Sequence, residues 1–481
     1  MRRTTVIGSA LIVLSLAFAP LTDALRYDGQ RQHLQKERFV SSLAAPSERL
    51  TDQACVDGLA AGVFPCSGID LLSFVPDDEM FTDGVAPLGA GLSDIWGWTS
   101  PDSGDNYVFF GKTNGTAFYR VTDPTDPVYL GEVPNPGPAE LVWHDIKVND
   151  GYAYIVSETP GHGVQVVDLS MLDGMGEAPV TPFPIPQVGH YAMDGTAHNI
   201  VIDEDNDTVY LVGSGQVLGL GGACTTEGKV GDNAGLHAID VSVPNAPVYL
   251  GCHVGEGYVH DAHCVEYHGP DVEHQGKPIC VTAHEDGVAV VDVTDITAPV
   301  TLSDTATAPD SLDVYPDVSY SHQGWLSEDH AYYFHGDELD ENGDRPTRTF
   351  IFDLTDLDRI ALYEAFEHQG LPGEGDLVDG YRVNIDHNMY THQGLLYQSD
   401  YEAGLRVFDY TQVGQDLGNG ETGTLREVAH FDTYPESNLA EFNGTWSNYP
   451  YFADGTIAVS GIGEGLFLLK LDEGLIPGTA S

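Results

Sequence analysis

One short phrase recurs seven times along this chain, and a repeat of that kind leaves few folds open. The phrase is an apolar run, an acidic residue or its substitute, then often Ser/Thr, Pro and a second apolar run. It reads GTAFYRVTDPTDPVYLG from Gly115, GVQVVDLS from Gly163 and GLHAIDVSVPNAPVYLG from Gly235. It returns as GVAVVDVTDITAPVTL from Gly287, RTFIFDLTDL from Arg348, GLRVFDYT from Gly404 and GLFLLKLD from Gly465. The apolar runs end at Arg120, Asp168, Asp240, Asp292, Asp353, Asp409 and Lys470, 48 to 72 residues apart. That period suits one four-stranded unit plus variable loops. A unit that cannot bury its apolar face alone must stack on its neighbours, and β-rich repeats of this length close into propellers. The expectation is an all-β, seven-bladed β-propeller.

A second phrase precedes each of these and marks where a blade opens: SDIWGW at Ser93, WHDIKV at Trp143, AHNIVI at Ala197, VHDAHC at Val259, SHQGWL at Ser321, DHNMYT at Asp386 and GTWSNY at Gly444. The first strand of a propeller blade lines the central channel, so these phrases are expected at one channel mouth. His144, His198, His260, His322 and His387 occupy the same place in five successive openings. Each is followed by a small polar residue: Asp145, Asn199, Asp261, Gln323 and Asn388. Ser93 and Asp94 stand there in the first opening, Gly444 and Thr445 in the last.

The formal charge is −55, from 74 acidic and 19 basic residues. A phosphate backbone needs Lys/Arg patches and an anionic lipid surface needs polybasic stretches, so nucleic acid and membrane docking are excluded as partners. Acids spread along the whole chain read as adaptation to high salt, where screening over a few Å removes self-repulsion. Arg2 and Arg3 precede an apolar run from Val6 to Ala19, too short to span a bilayer, with small residues suited to cleavage after Ala24. Residues 1–24 are therefore expected to be a signal peptide, placing the protein outside the cell or at its surface, with no membrane span. The remaining divisions are a lead-in and cysteine-clipped cap at 25–90, the propeller at 91–471 and a tail at 472–481.

Six cysteines in an exported chain favour disulfides. Cys55 and Cys66 close a short loop, Cys264 and Cys280 flank two strands and a turn, and Cys224 with Cys252 completes the set. Metal–thiolate ligation is the alternative for the last two pairs, because histidines lie nearby.

The stretches CVDGLAAGVFPCSGIDLLSFV, SDIWGW, VHDAHCVEYHGPD, GDELDE, DHNMYTHQGLLYQSDYEAGLRVFD, VAHFDTYPE and GTWSNYPYF resemble the choice-of-anchor B family of LVIVD-repeat proteins. The resemblance covers nearly the whole mature chain and implies an exported propeller. It implies no particular reaction. This chain departs from the family's pattern by ending just after the last blade, without a surface anchor.

The histidines are the sharpest chemical signal. If the opening strands line the channel, five imidazoles converge near one end of its axis. Imidazole suits zinc, copper or iron, with neighbouring carboxylates orienting the rings. The expected metal trio is His198, His260 and His322, with His387 and His144 nearby, His263 as a substitute, and Asp94, Asp145 and Asp261 behind them. The competing reading is that each histidine repeats one architectural task at a blade junction, inherited by duplication. DELDENGD places Asp337, Asp340, Asn342 and Asp344 as an oxygen-rich calcium loop, and DEDNDT from Asp203 repeats the pattern in a turn. No nucleophile elbow, P-loop or dinucleotide fingerprint occurs in its required context. His–Asp pairs such as His144/Asp145 and His260/Asp261, with Tyr390 and Tyr401 as acids, are the catalytic candidates. Trp96, Trp98, Trp143, Trp325 and Trp446 read as wedges between blades or as a sugar-stacking rim. The leading functional reading is an extracellular binding or scaffold module, monomeric, with a protein or polysaccharide ligand. The alternative is a metal-dependent hydrolase, lyase or oxidase.

Overall fold

The computed structural model describes residues 46–81, 91–137, 141–178, 183–192, 195–214, 235–308, 314–341, 345–369, 381–418, 420–437 and 439–478. They form seven antiparallel sheets. The innermost strands are Leu92–Thr99, His144–Asn149, Asn199–Asp203, Asp261–Glu266, Ser321–Leu326, Met389–His392 and Thr445–Tyr449. Each lies beside the next, and Thr445–Tyr449 lies beside Leu92–Thr99, so the ring closes into a seven-bladed propeller.

The recurring phrase is the third strand of each blade, and its residues have separate tasks. The acidic residue ending the apolar run caps the turn that follows. Asp168, Asp240, Asp292, Asp353 and Asp409 each accept the backbone N–H two residues on, from Ser170, Ser242, Thr294, Thr355 and Thr411. The leading glycine permits close approach. A Cβ on Gly404 would stand 2.2 Å from the Phe431 carbonyl, and φ is +78° there. In six blades the third and fourth strands slip register by one residue midway, which adds twist. Among the described residues, seven apolar clusters each bridge two adjacent blades. An eighth, with Val142, Trp143, Tyr401, Phe442 and Trp446, spans blades two, six and seven at the end of the channel where the histidines begin.

The last blade takes its outer strands from the other end of the chain. Ile69–Pro76 pairs with Gly465–Leu471, and Leu50–Gln53 pairs outside it. Phe64–Ser67 pairs with Arg426–Phe431 of blade six. The propeller boundary expected at residue 91 therefore moves, because residues 69–76 are a strand of blade seven. The cysteine-clipped cap is continuous with two blades, and Cys55–Cys66 ties it together with a Cα–Cα distance of 6.0 Å. Cys264 and Cys280 are bonded across directly paired strand positions. Cys252 is disulfide-bonded, and its expected partner Cys224 lies outside the described residues, as does the expected signal peptide. No helix among the described residues is long and apolar enough to cross a membrane.

Glu464 sits at this closure, where its carbonyl accepts the Asp77 N–H. Burial pushes its carboxyl from 4.5 up to about 8. A raised acid contributes stability that is complete below its unfolded value and lost as pH rises through its folded one. Glu464→Gln should thus melt higher than wild type at roughly pH 9 and close to it at roughly pH 4. Thermal melts across that range check this, and a difference independent of pH would contradict it.

Candidate functional site: the channel and its histidine mouth

The residue after each histidine joins one blade to the next. Asp145 accepts from Ile200 N at 2.8 Å, and Asn199 donates to His260 O at 3.1 Å. Gln323 donates to Met389 O and accepts from Met389 N, and Asn388 donates to Ser447 Oγ. Asp261 departs from the pattern and caps its own Ala262 N–H. Backbone bonding across the channel wall thus falls largely to these side chains.

The histidines themselves form an arc. Ring centroids are 4.5 Å apart for His198 and His260, 4.1 Å for His260 and His322, and 4.5 Å for His322 and His387. His260 Nδ1 donates to His322 O at 2.9 Å, and His387 Nδ1 donates to Trp446 O at 2.5 Å. A carbonyl only accepts, so both rings carry the proton on Nδ1 and present an Nε2 lone pair. Burial holds His387 down to about 3 and His260 and His322 well below the usual imidazole value, so all three are neutral near pH 7.

Glu338 completes the geometry. It follows the strand Tyr332–Asp337 directly, and its carboxylate lies between two rings. Oε2 is 3.6 Å from His322 Nε2, Oε1 is 3.9 Å from His387 Nε2, and Tyr401 donates to Oε1 at 2.7 Å. His322, Glu338 and His387 are buried and offer one ligand atom each, all within 4.8 Å of one another. His322 is aimed there by a bulge, since Ser321 pairs with Asp337 and Gln323 with Gly336, leaving it as the extra residue.

Several expected site residues stand elsewhere. His144 spends both nitrogens, on Val142 O and Asn135 Oδ1. His198 donates to Glu158 at 2.8 Å. The expected trio of His198, His260 and His322 is therefore not the one that shares a carboxylate. His263 lies further down the channel, stacked on Trp325 at 3.6 Å and accepting from Leu326 N, so it cannot substitute. Asp94, Asp145 and Asp261 are not behind the imidazoles but one layer below, around Lys147. In the last opening Trp446, not Gly444 or Thr445, takes the histidine's place, since it receives the His387 hydrogen bond. Of the calcium loop, Asp337 accepts from Tyr315 Oη, Ser319 N and Tyr320 N, and Asp340 accepts from Arg348 Nε at 2.6 Å. These acids are engaged by the fold; Asn342 and Asp344 lie outside the described residues. Glu338 was expected as part of the acidic DELDENGD calcium loop and not as a partner of the histidines, because only folding brings that turn beside His322, His387 and Tyr401.

Below the mouth the wall changes character. Lys147 bonds Asp145 at 2.5 Å, stands 3.4 Å from Asp94 and lies 4.4 Å over the Trp96 ring. Burial, with repulsion from Asp145, pushes Asp261 up to about 8, so it carries a proton at neutral pH. Tyr390 meets Trp96 and Trp325 edge-on, at 5.6 and 4.9 Å. This layer roofs a cavity of about 240 Å³ that also reaches Asp203, Glu204, Asp205, His263 and Glu266. Of the tryptophans, Trp98 is a wedge between blades, Trp143 and Trp446 pack at the mouth, and Trp96 and Trp325 line the cavity.

No family model matches the sequence, and no curated protein does. Solved structures are similar at low identity and low TM-score. A protein from Lactobacillus plantarum is 14% identical with a TM-score of 0.42, covering 77% of this chain and 88% of that one. The computationally designed Ika8 protein is 8% identical with a TM-score of 0.40, covering 79% and 83%. The extracellular domain of what is described as a hybrid two-component system from B. thetaiotaomicron is 13% identical with a TM-score of 0.44. That match covers 82% of this chain and 39% of the other.

Proposed function

We propose that this protein is an exported binding module whose channel mouth holds one divalent transition metal through His322, Glu338 and His387. The carrying observation is the convergence of three buried ligand atoms within 4.8 Å, two of them imidazole nitrogens. The His387 ring is already oriented by its Nδ1–H bond to Trp446 O, the outer contact that metal-binding imidazoles use. The resemblance to exported LVIVD-repeat proteins and the disulfides support a place outside the cell. Two imidazoles and a carboxylate suit zinc or iron(II). Three protein ligands leave coordination positions open, and this favours a metal-dependent enzyme as the second reading.

Metal analysis of protein purified under metal-replete conditions and dialysed against a weak chelator tests the site. The expected result is about one zinc or iron per chain, because a buried three-ligand site resists exchange. Glu338→Gln and His387→Ala should each weaken binding by more than about 100-fold, the upper range for losing merely an outer partner. His144→Ala should retain the metal. A metal-free wild type that takes up neither ion in titration would overturn the assignment.

A further inference from the structure

We propose that the end of the channel opposite the histidines binds a small organic cation, an amine or quaternary ammonium, against Trp96, Trp325 and Tyr390 with Asp203 as its counter-charge. The two ends are separate sites on the same strands. In blade two His144 begins the inner strand and Lys147 stands three residues along it, about 10 Å at 3.3 Å per residue. The cavity lies beyond Lys147 on the side where the inner strands end.

Its shape and lining favour a small ligand. A volume of about 240 Å³ is the liquid share of roughly eight water molecules. One wall is aromatic, and the Trp96 face already accepts a cation, the Lys147 ammonium. His263, stacked on Trp325, is held down to about 3 by burial and adds no opposing charge. The other wall is acidic. Asp203 is only 1% exposed, and its Oδ1 has no hydrogen-bond partner, while Oδ2 takes the Asn206 amide at 2.9 Å. A buried carboxylate oxygen left unpaired costs free energy that a ligand N–H or ammonium would recover. Glu204, Asp205 and Glu266 are exposed at the rim. Lys147, the cation in this lining, is neutralised by its ion pair with Asp145. With a net charge of −55, the surrounding field also draws cations toward the cavity.

Titration of the whole protein with choline, agmatine, glucose and calcium, read by tryptophan fluorescence and calorimetry, tests this. The expected result is saturable binding of choline or agmatine with Kd below about 1 mM, and no binding of glucose. Asp203→Asn and Trp325→Leu should each weaken it about tenfold or more, the scale of one lost charge or cation–π contact. Glu266→Gln, at an exposed position that does not endanger folding, should weaken it by a few-fold and flatten its salt dependence. His387→Ala, which removes the metal ligand at the other end, should leave amine binding intact, so the two sites fail or stand separately. Absence of amine binding, equal binding of glucose, calcium binding in place of amines, or an unchanged affinity in both Asp203→Asn and Glu266→Gln would each overturn the proposal.

Discussion

Phe74→Ala is expected to cost about 3–5 kcal/mol, and a chain starting at residue 91 is expected not to reach a soluble folded state. Phe74 is fully buried in the strand that closes the ring, with its ring 4.7 Å from Phe467 and 6.2 Å from Phe64. Phe64 in turn lies 5.5 Å from Phe467 and 5.6 Å from Phe431, so one aromatic cluster holds blades six and seven to the N-terminal strands. Removing Ile69–Pro76 would leave the ladder of Gly465–Leu471 unpaired and uncover Leu466, Phe467, Leu468 and Leu469. An exposed apolar sheet edge of that length pairs with other chains. Denaturant unfolding of the point variant and solubility of the truncation check both statements. A loss below about 1 kcal/mol for Phe74→Ala would show that closure rests on other contacts.

Lys147→Met is expected to destabilise the protein by about 3–5 kcal/mol, with most of the loss recovered in Lys147→Met/Asp145→Asn. Burial alone would raise the Asp145 carboxyl, yet the Lys147 ammonium and the Ile200 N–H hold it below the usual range, so it is the ionised member of the cluster. Burial raises Asp94 well above that range. Methionine keeps the bulk of the lysine stem but leaves Asp145 buried without its cation, which is the costly half of a broken pair. A double-mutant cycle from urea unfolding isolates the coupling. Additive single effects would mean that the pair does not act as a unit.

The channel site was legible in part, for reasons that differ residue by residue. Histidine recurrence at 144, 198, 260, 322 and 387 marked the mouth, because duplicated blades carry a residue type to the same place. It did not say which imidazoles would be spent. His144 is spent because Asn135, from the loop after blade one's last strand, reaches its second nitrogen. His322 and His387 share a carboxylate because a bulge turns one ring and Glu338 directly follows the second strand of blade five, beside them. The small polar residue after each histidine was expected to orient rings, but the hydrogen bonds of Asp145, Asn199 and Gln323 run sideways to the next blade's backbone.

The repeat of apolar run, Asp and Ser/Thr determined by itself the number of blades, the identity of their third strands and the turns that follow. Each of those depends on residues two to six positions apart, which local hydrogen bonding and a period-two strand pattern encode. The last phrase, GLFLLKLD, like GVQVVDLS and GLRVFDYT, carries no second apolar run, and nothing local says what pairs with it. Only the closed ring decides that Ile69–Pro76, nearly 400 residues away in sequence, fills the place. The same holds for the metal ligands and the aromatic cavity. Their side chains come from several blades, and their distances follow from how seven twisted sheets pack around one axis.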